Sequence, residues 1–564
     1  MSDLLSGGAE AAAGLAVHGA RAIDEQSPAS VRRALVADGV PGLLARKDPT
    51  LWGPEAESAA AAHLGWLDTF HRSRELLPQL AELCAELGDL DHVVLCGMGG
   101  SSLAPAAMAA TLGRPLTVLD TTDPGQIRAA LGDRLDTTVV VVASKSGSTI
   151  ETDAQRRAYH QAFLDLGRTP EEAGRHFVIV TDPGSPLVET GLEMGAFVIV
   201  ADPAVGGRFG ALTAFGLVPA ALAGVDVAEL LDQAEEFAAS LGGDEDNPAL
   251  ALGAAIGSAA TAGYSAVALV PDGSGLDGLG AWVEQLLAES LGKDGLGLLP
   301  VVVDSPSAPG ATGLGVLTVA YGGSLGAGAV PGGGVGAQLA VNGPLGAQFL
   351  AWEFATALAA RVLGVDPFSQ PDVASTKTLT TAALESDIPE IPVFVEGAVQ
   401  VFAGTSASGE TTVAGQNAAA GQSATPSPAA ATSLADALRA VLDAGEYLAV
   451  MAYLDRHDDA EIARLRSILA ERIGKPVTFG WGPRLLHTAG QFHKGGPRTG
   501  AFLQITGAVS DDLAIPGRPY TFGQLQAAQA AGDRAALHDR PLIRLHLTDR
   551  TAGINQLVTA AQAL

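Results

Sequence analysis

Four consecutive valines, Val139 to Val142, run through Ala143 into Ser-Lys-Ser-Gly-Ser-Thr and then into a helical pattern with carboxylates in its first turn (VVVVASKSGSTIET, 139–152). An unbroken apolar run of this kind reads as a strand buried on both faces, which requires a parallel sheet covered by helices on each side. Neighbouring stretches repeat the unit. HVVLC (92–96), PLTVLD (115–120), HFVIVTD (176–182) and AFVIVAD (196–202) are further strand-like runs, with helices expected at 102–112, 150–166 and 207–224. Strands alternating with helices predict an α/β fold with a doubly wound parallel sheet.

The pattern restarts after DNPAL (246–250). SAVALVPD (265–272), LLPVVVD (298–304), GVLTVAYG (315–322) and GAQLAVN (336–342) read as strands, with helices at 276–290 and 344–363. Residues 1–90 read as a helical segment, 91–240 as a first α/β domain and 245–400 as a second. Residues 434–564 form a C-terminal α/β region. Between them, 403–433 is built of Ala, Gly, Ser, Thr and Pro; such a stretch lacks the apolar side chains that offset ordering entropy and is expected to be disordered. The uncharged span 305–352 is too rich in Gly and Pro to form a membrane helix.

At 564 residues the chain has ample core for several domains, and its formal charge of −29 argues against nucleic acid and anionic membrane surfaces as partners. It does not exclude a small anionic substrate, because a local cluster of donors outweighs the global field. Two cysteines are too few for a disulfide framework, and the N-terminus lacks a basic stretch followed by an apolar core. Both features predict a cytoplasmic protein.

Five blocks carry chemistry. A strand that ends in small hydroxyl residues and opens a helix suits a phosphate at SKSGST, because free amide groups and the helix dipole face the anion. CGMGGSSLAP (96–105) offers a tight glycine turn and two hydroxyls at another helix start. In VGGRFGALTAFG (205–216), glycines clear room beside Arg208. In WVEQLLAESLGK (282–293), Gln285 and Glu289 are four residues apart and share a helix face, as a carboxylate base with an amide neighbour would require. DPFSQPDVASTK (366–377) places Gln370 and Lys377 on one face. Each block alone also fits an ordinary turn or a solvated helix face.

Together and in this order, the five blocks resemble the phosphoglucose isomerase family, a two-domain sugar-isomerase (SIS) fold. GPRLLHTAGQFHKGGP and AFLQIT, at 482–497 and 501–506, are similar to the C-terminal region of a bacterial branch that includes transaldolase-fused members. The resemblance implies reversible isomerisation of glucose 6-phosphate and fructose 6-phosphate through a cis-enediolate, without metal or other cofactor, in a homodimer. It implies that Gly100, Ser101, Ser144, Lys145, Ser146 and Thr149 surround the phosphate and that Gln285 and Gln370 hold sugar hydroxyls. Arg208 would steady the enediolate, Glu289 would move the proton between the first two carbons, and Lys377 would help open the ring.

The chain also departs from the family pattern. Gly210 stands where a hydroxyl residue is usual, and Ser369, Asp372 and Ala374 replace the usual Asp, Gly and Glu near Lys377. The family's ring-opening histidine is missing from its place, since no His lies between His176 and His457. Either His487 or His493 substitutes for it, or ring opening relies on Lys377 and water. A bifunctional isomerase that also takes mannose 6-phosphate, and a non-catalytic sugar-phosphate sensor, remain as alternatives.

Overall fold

The computed structural model describes residues 10–20, 23, 30–324, 338–385, 390–405 and 431–564. The low-complexity stretch at 403–433 lies mostly outside these residues, over 406–430, as do 325–337 in the Gly-rich span.

Three sheets account for the strands. Two short N-terminal strands, β1 (Glu10–Ala12) and β2 (Leu15–His18), form an antiparallel pair. The first sheet holds β3 (His92–Gly97), β4 (Thr117–Leu119), β5 (Thr138–Ala143), β6 (Phe177–Thr181) and β7 (Phe197–Val200). All its pairings are parallel, in the order β4-β3-β5-β6-β7. The second sheet contains β8 (Ala266–Pro271), β9 (Leu299–Val302), β10 (Val316–Gly322) and β11 (Leu339–Asn342), in the order β1-β2-β11-β10-β8-β9. The third contains β12 (Phe394–Glu396), β13 (Val399–Thr405), β14 (Tyr447–Tyr453), β15 (Val477–Trp481), β16 (Gly500–Gly507) and β17 (Leu542–Leu547), in the order β12-β13-β17-β16-β14-β15.

The same winding recurs in all three. A strand is laid down, the next joins one side of it, and the chain then crosses back to the other side. The reversals fall between β3 and β5, β8 and β10, and β14 and β16. At such a switch point the loops leaving the two strands diverge and open a crevice at the carboxyl edge of the sheet, where ligands bind in open α/β sheets. The glycine turn after β3 and the SKSGST loop after β5 flank the first of these crevices.

Three expectations need correction. The N-terminal segment is not wholly helical: β2 pairs with β11, with Val17 opposite Val341, and extends the second sheet. A four-residue strand is too short to display its period. The helix expected at 207–224 spans Ala214–Leu222. Gly207–Phe209 instead form a 3₁₀ turn, and the Thr213 side chain caps the helix at the Phe215 amide. Finally, β12 and β13, read as the end of the second domain, belong to the third sheet through antiparallel pairing of β13 with β17.

The largest core joins the first two sheets and the N-terminal helices. The helices Pro248–Thr261 and Leu345–Leu363 are apolar on nearly every face and pack against each other at its centre. Trp282 meets Phe349 edge-on there, with ring centroids 4.9 Å apart, which anchors the helix Leu279–Leu291 that carries Glu289. The third unit docks on the first through Arg550, whose Nη1 donates to Asp123 Oδ2 at 2.9 Å and to Asp459 Oδ2 at 3.0 Å. Among the described residues no helix is long and apolar enough to cross a membrane.

Candidate active site

The crevice at the β3/β5 switch point deepens into a cavity of about 410 Å³, within the range of small-ligand sites. It is lined by Gly100, Ser101, Ser144, Lys145, Ser146, Thr149, Arg208, Gln285, Glu289, Gln370, Lys377 and His487. Every candidate site residue named from the sequence except His493 therefore faces one space, although these residues come from six separate parts of the chain.

The loops can meet because glycines let backbone pack on backbone. A Cβ on Gly100 would lie 2.2 Å from the Gly207 carbonyl oxygen, so the turn carrying Ser101 and the turn carrying Arg208 interlock only with glycine there. Beyond β5, Ser144 Oγ and Thr149 Oγ1 are 2.9 Å apart, and Ser146 Oγ and Ser148 Oγ 3.0 Å. Among the described residues no side chain caps the helix Ile150–Asp165, which leaves amide groups of its first turn without a side-chain acceptor. The Lys145 ammonium pairs with the Asp182 carboxylate, a cavity-lining partner for which the sequence held no signal beyond its place after β6.

Arg208 is buried and clamped. Its Nε donates to Ser290 Oγ at 2.8 Å, Nη1 to Glu289 Oε2 at 3.3 Å, and Nη2 to the carbonyls of Pro367 and Ser369. Glu289 Oε1 accepts from Gln285 Nε2 at 3.3 Å. Burial pushes the Glu289 carboxyl above the usual carboxylate range, against the opposing pull of Arg208. The Gln285 Oε1 atom is buried and finds no donor among the described residues.

Lys293, at the end of the same segment, donates to the carbonyls of Asp366 at 2.6 Å and Ser369 at 2.5 Å, and so holds the loop that brings Gln370 to the cavity. Burial, reinforced by the Arg208 charge, lowers its ammonium from 10.5 to about 7. Between those values the unfolded chain holds a proton that the native chain has released, so this group makes stability rise with pH across the window and fall as pH drops through 7. Lys293→Met is expected to flatten that rise, as read by urea melts at about pH 7 and about pH 9. An unchanged slope would show that the ammonium is not the group that titrates.

His487 comes from the third unit, in the 3₁₀ turn Arg484–His487 that follows β15. Its carbonyl packs against Gly99, and its Nε2 lies 3.1 Å from Glu151 Oε1. Glu151 is buried in the first turn of the phosphate-loop helix and also accepts from Gln529 Nε2 at 2.7 Å. Burial raises the Glu151 carboxyl, but the contact with His487, its own backbone amide and the Lys377 charge together outweigh this and the net displacement is downward, so Glu151 is held as a carboxylate. Glu151 and Gln529 were not singled out in the sequence; the first-turn carboxylate was the one visible hint. His493 sits elsewhere. It is buried among Tyr447, Phe492 and Phe502, with Tyr447 Oη 3.2 Å from its Nδ1, and does not line the cavity. Burial holds it neutral, at about 3, which fits a packing role.

The phosphoglucose isomerase family model matches residues 83–309. The match takes in less than half of the chain, and over that stretch the chain is similar to the phosphoglucose isomerase family. Over 224 residues the chain is 36% identical to a probable glucose-6-phosphate isomerase of Haloarcula marismortui, and over 221 residues 37% identical to a glucose-6-phosphate isomerase of Thermosynechococcus vestitus. These matches take in 38% and 37% of this chain and 50% and 41% of the relatives, so the chain spans about half the length of the curated relatives it matches. A solved glucose-6-phosphate isomerase from Chlamydia trachomatis superposes with a TM-score of 0.54 at 19% identity, covering 69% of this chain and 92% of that one. A hypothetical protein from Thermus thermophilus does so with a TM-score of 0.52 at 24% identity, covering 63% and 94%. At these identities the structures establish the fold, that of the family's doubly wound α/β units. The matched segment carries the glycine turn, the phosphate loop, Arg208, Gln285 and Glu289. Gln370, Lys377 and His487 lie beyond it.

Proposed function

We propose that the cavity interconverts glucose 6-phosphate and fructose 6-phosphate through a cis-enediolate. The observation that carries this is the Glu289–Arg208 pair, 3.3 Å apart, in the same cavity as the phosphate-loop hydroxyls. A buried carboxylate with a raised pKa is matched to taking a proton next to a carbonyl and returning it to the neighbouring carbon. The guanidinium, already fixed by four acceptors, needs no reorganisation when the enediolate oxygen develops charge. Ser101, Ser144, Ser146, Thr149 and the first-turn amides hold the phosphate, so binding at the inert end positions the reacting end. Gln285, with its free Oε1, and Gln370 receive sugar hydroxyls.

Ring opening falls to His487, with Glu151 behind it and Lys377 beside it. A carboxylate behind an imidazole orients the ring and fixes which nitrogen faces the substrate. His487→Asn is expected to lower kcat about 10²-fold and to slow anomerisation, read by NMR magnetisation transfer, in parallel. Unchanged anomerisation would return His487 to a structural role. The same reading places the protein in the cytoplasm as a homodimer, with a mass in solution twice that of one chain.

The deciding experiment gives the purified protein glucose 6-phosphate in deuterated water and follows fructose 6-phosphate formation together with label entry at C1 of that product. Turnover with exchange supports the proposal. Tight binding without turnover would make the protein a sensor and overturn it. Mannose 6-phosphate run in parallel, if converted at a comparable rate, would widen the substrate to both aldoses.

A further inference from the structure

The ends of two helices that bear on the cavity meet at a single side chain of the third unit. Gln491 is fully buried in the short helix Gly490–Gly495. Its Nε2 donates to the Gly292 carbonyl at 3.1 Å and to Asp372 Oδ2 at 2.7 Å, and its Oε1 accepts from the Asp372 amide at 3.2 Å. Gly292 caps the helix that carries Glu289, three residues away. Asp372 lies in the first turn of the helix Pro371–Glu385, which carries Lys377. The knot closes without slack. A Cβ on Gly495 would lie 2.4 Å from Asp372 Oδ2, 2.6 Å from Gln491 Nε2 and 2.9 Å from the Gly292 oxygen, and the Gly495 carbonyl accepts from the Gly295 amide at 2.8 Å.

We infer that Gln491 is a positioning residue that fixes where Lys377 stands relative to Glu289. The amide suits the task because it is at once a donor and an acceptor: it satisfies a helix-end carbonyl on one side and both a backbone amide and a carboxylate on the other. The Lys377 side chain is itself exposed at the cavity, so its placement depends on how its helix is anchored. A displacement of about 1 Å between two groups that act on one substrate costs on the order of 10² in rate. The inference rests on the proposed roles of Lys377 and Glu289.

Gln491→Leu keeps the volume and removes all three hydrogen bonds. It is expected to lower kcat about 10²-fold with KM changed little, and to cost nothing further when placed on Lys377→Ala. A loss that adds in full to that of Lys377→Ala overturns the inference alone. A Lys377→Ala enzyme with unchanged kcat overturns the reading of Lys377 and the inference with it. Because Gln491→Leu could fail by unfolding, a reciprocal exchange provides the second arm. Gln491→Glu sets a carboxylate against Asp372 and is expected to be worse than Gln491→Leu, whereas adding Asp372→Asn restores a donor–acceptor pair and is expected to recover at least about tenfold in kcat. A folded double variant without recovery overturns the inference.

Discussion

Glu289→Gln is expected to lower kcat by about 10³-fold or more while leaving the affinity for a sugar-acid phosphate analogue within a few-fold of the parent. The exchange keeps the shape of the side chain. Gln285 Nε2, 3.3 Å from Oε1, keeps an acceptor, and Arg208 keeps Ser290 and the carbonyls of Pro367 and Ser369. What is lost is the ability to accept and return a proton, together with the negative charge that faces Arg208. In the parent enzyme, burial raises the Glu289 carboxyl, so the acid limb of kcat/KM should lie above the range of a free carboxylate, with activity falling as pH drops through that limb. The measurement is kcat together with exchange of the C2 hydrogen into solvent. A variant that still exchanges that hydrogen would move the base to another residue, and Glu289 would then be an electrostatic partner of Arg208.

Arg208→Lys is expected to cost on the order of 10²–10³ in kcat and, separately, about 1–3 kcal/mol of stability. The guanidinium reaches four acceptors in different directions, from the Glu289 helix and from the loop before Gln370. A lysine presents its donors from one point and cannot span that set, so the change is not conservative here. It also leaves some of these buried acceptors without a donor. Steady-state kinetics separates the first effect from the second, which is read by denaturant melts at neutral pH. A stable variant with full activity would show that the guanidinium neither steadies the enediolate nor holds the Pro367–Ser369 backbone.

Much of the site was readable because its parts are local. Val139–Val142 had to be a buried parallel strand, Ser144–Thr149 a turn into a helix, and Gln285 and Glu289 neighbours on one helix face. Each statement depends on residues within about two turns of one another. The recurrence of strand and helix was likewise sufficient for the α/β class. Less legible were elements whose partners are far away in sequence. β2 is four residues long and becomes a strand only because β11 offers an edge. The segment at 394–405 has the composition of any short strand, and its membership of the third sheet depends on β17, more than 130 residues later.

The histidines mark the boundary most clearly. By sequence His487 and His493 were both candidates, six residues apart in one glycine-rich segment, and His493, beside Lys494 and a glycine pair, had the stronger local argument. Only the fold distinguishes them: the turn after β15 sets His487 against Glu151, 336 residues away, and buries His493 among aromatic rings. The same holds for Gln491 and Asp372, and for Lys145, whose charge meets Asp182 across the end of the first sheet. Residue type and local spacing determined which chemistry the chain carries: a phosphate loop, a carboxylate beside an amide, and an isolated arginine in a glycine clearing. Tertiary structure decided which groups share the cavity and in what state of charge. Burial and distance act between segments that no sequence window contains, and these set both the contacts and the pKa of each group.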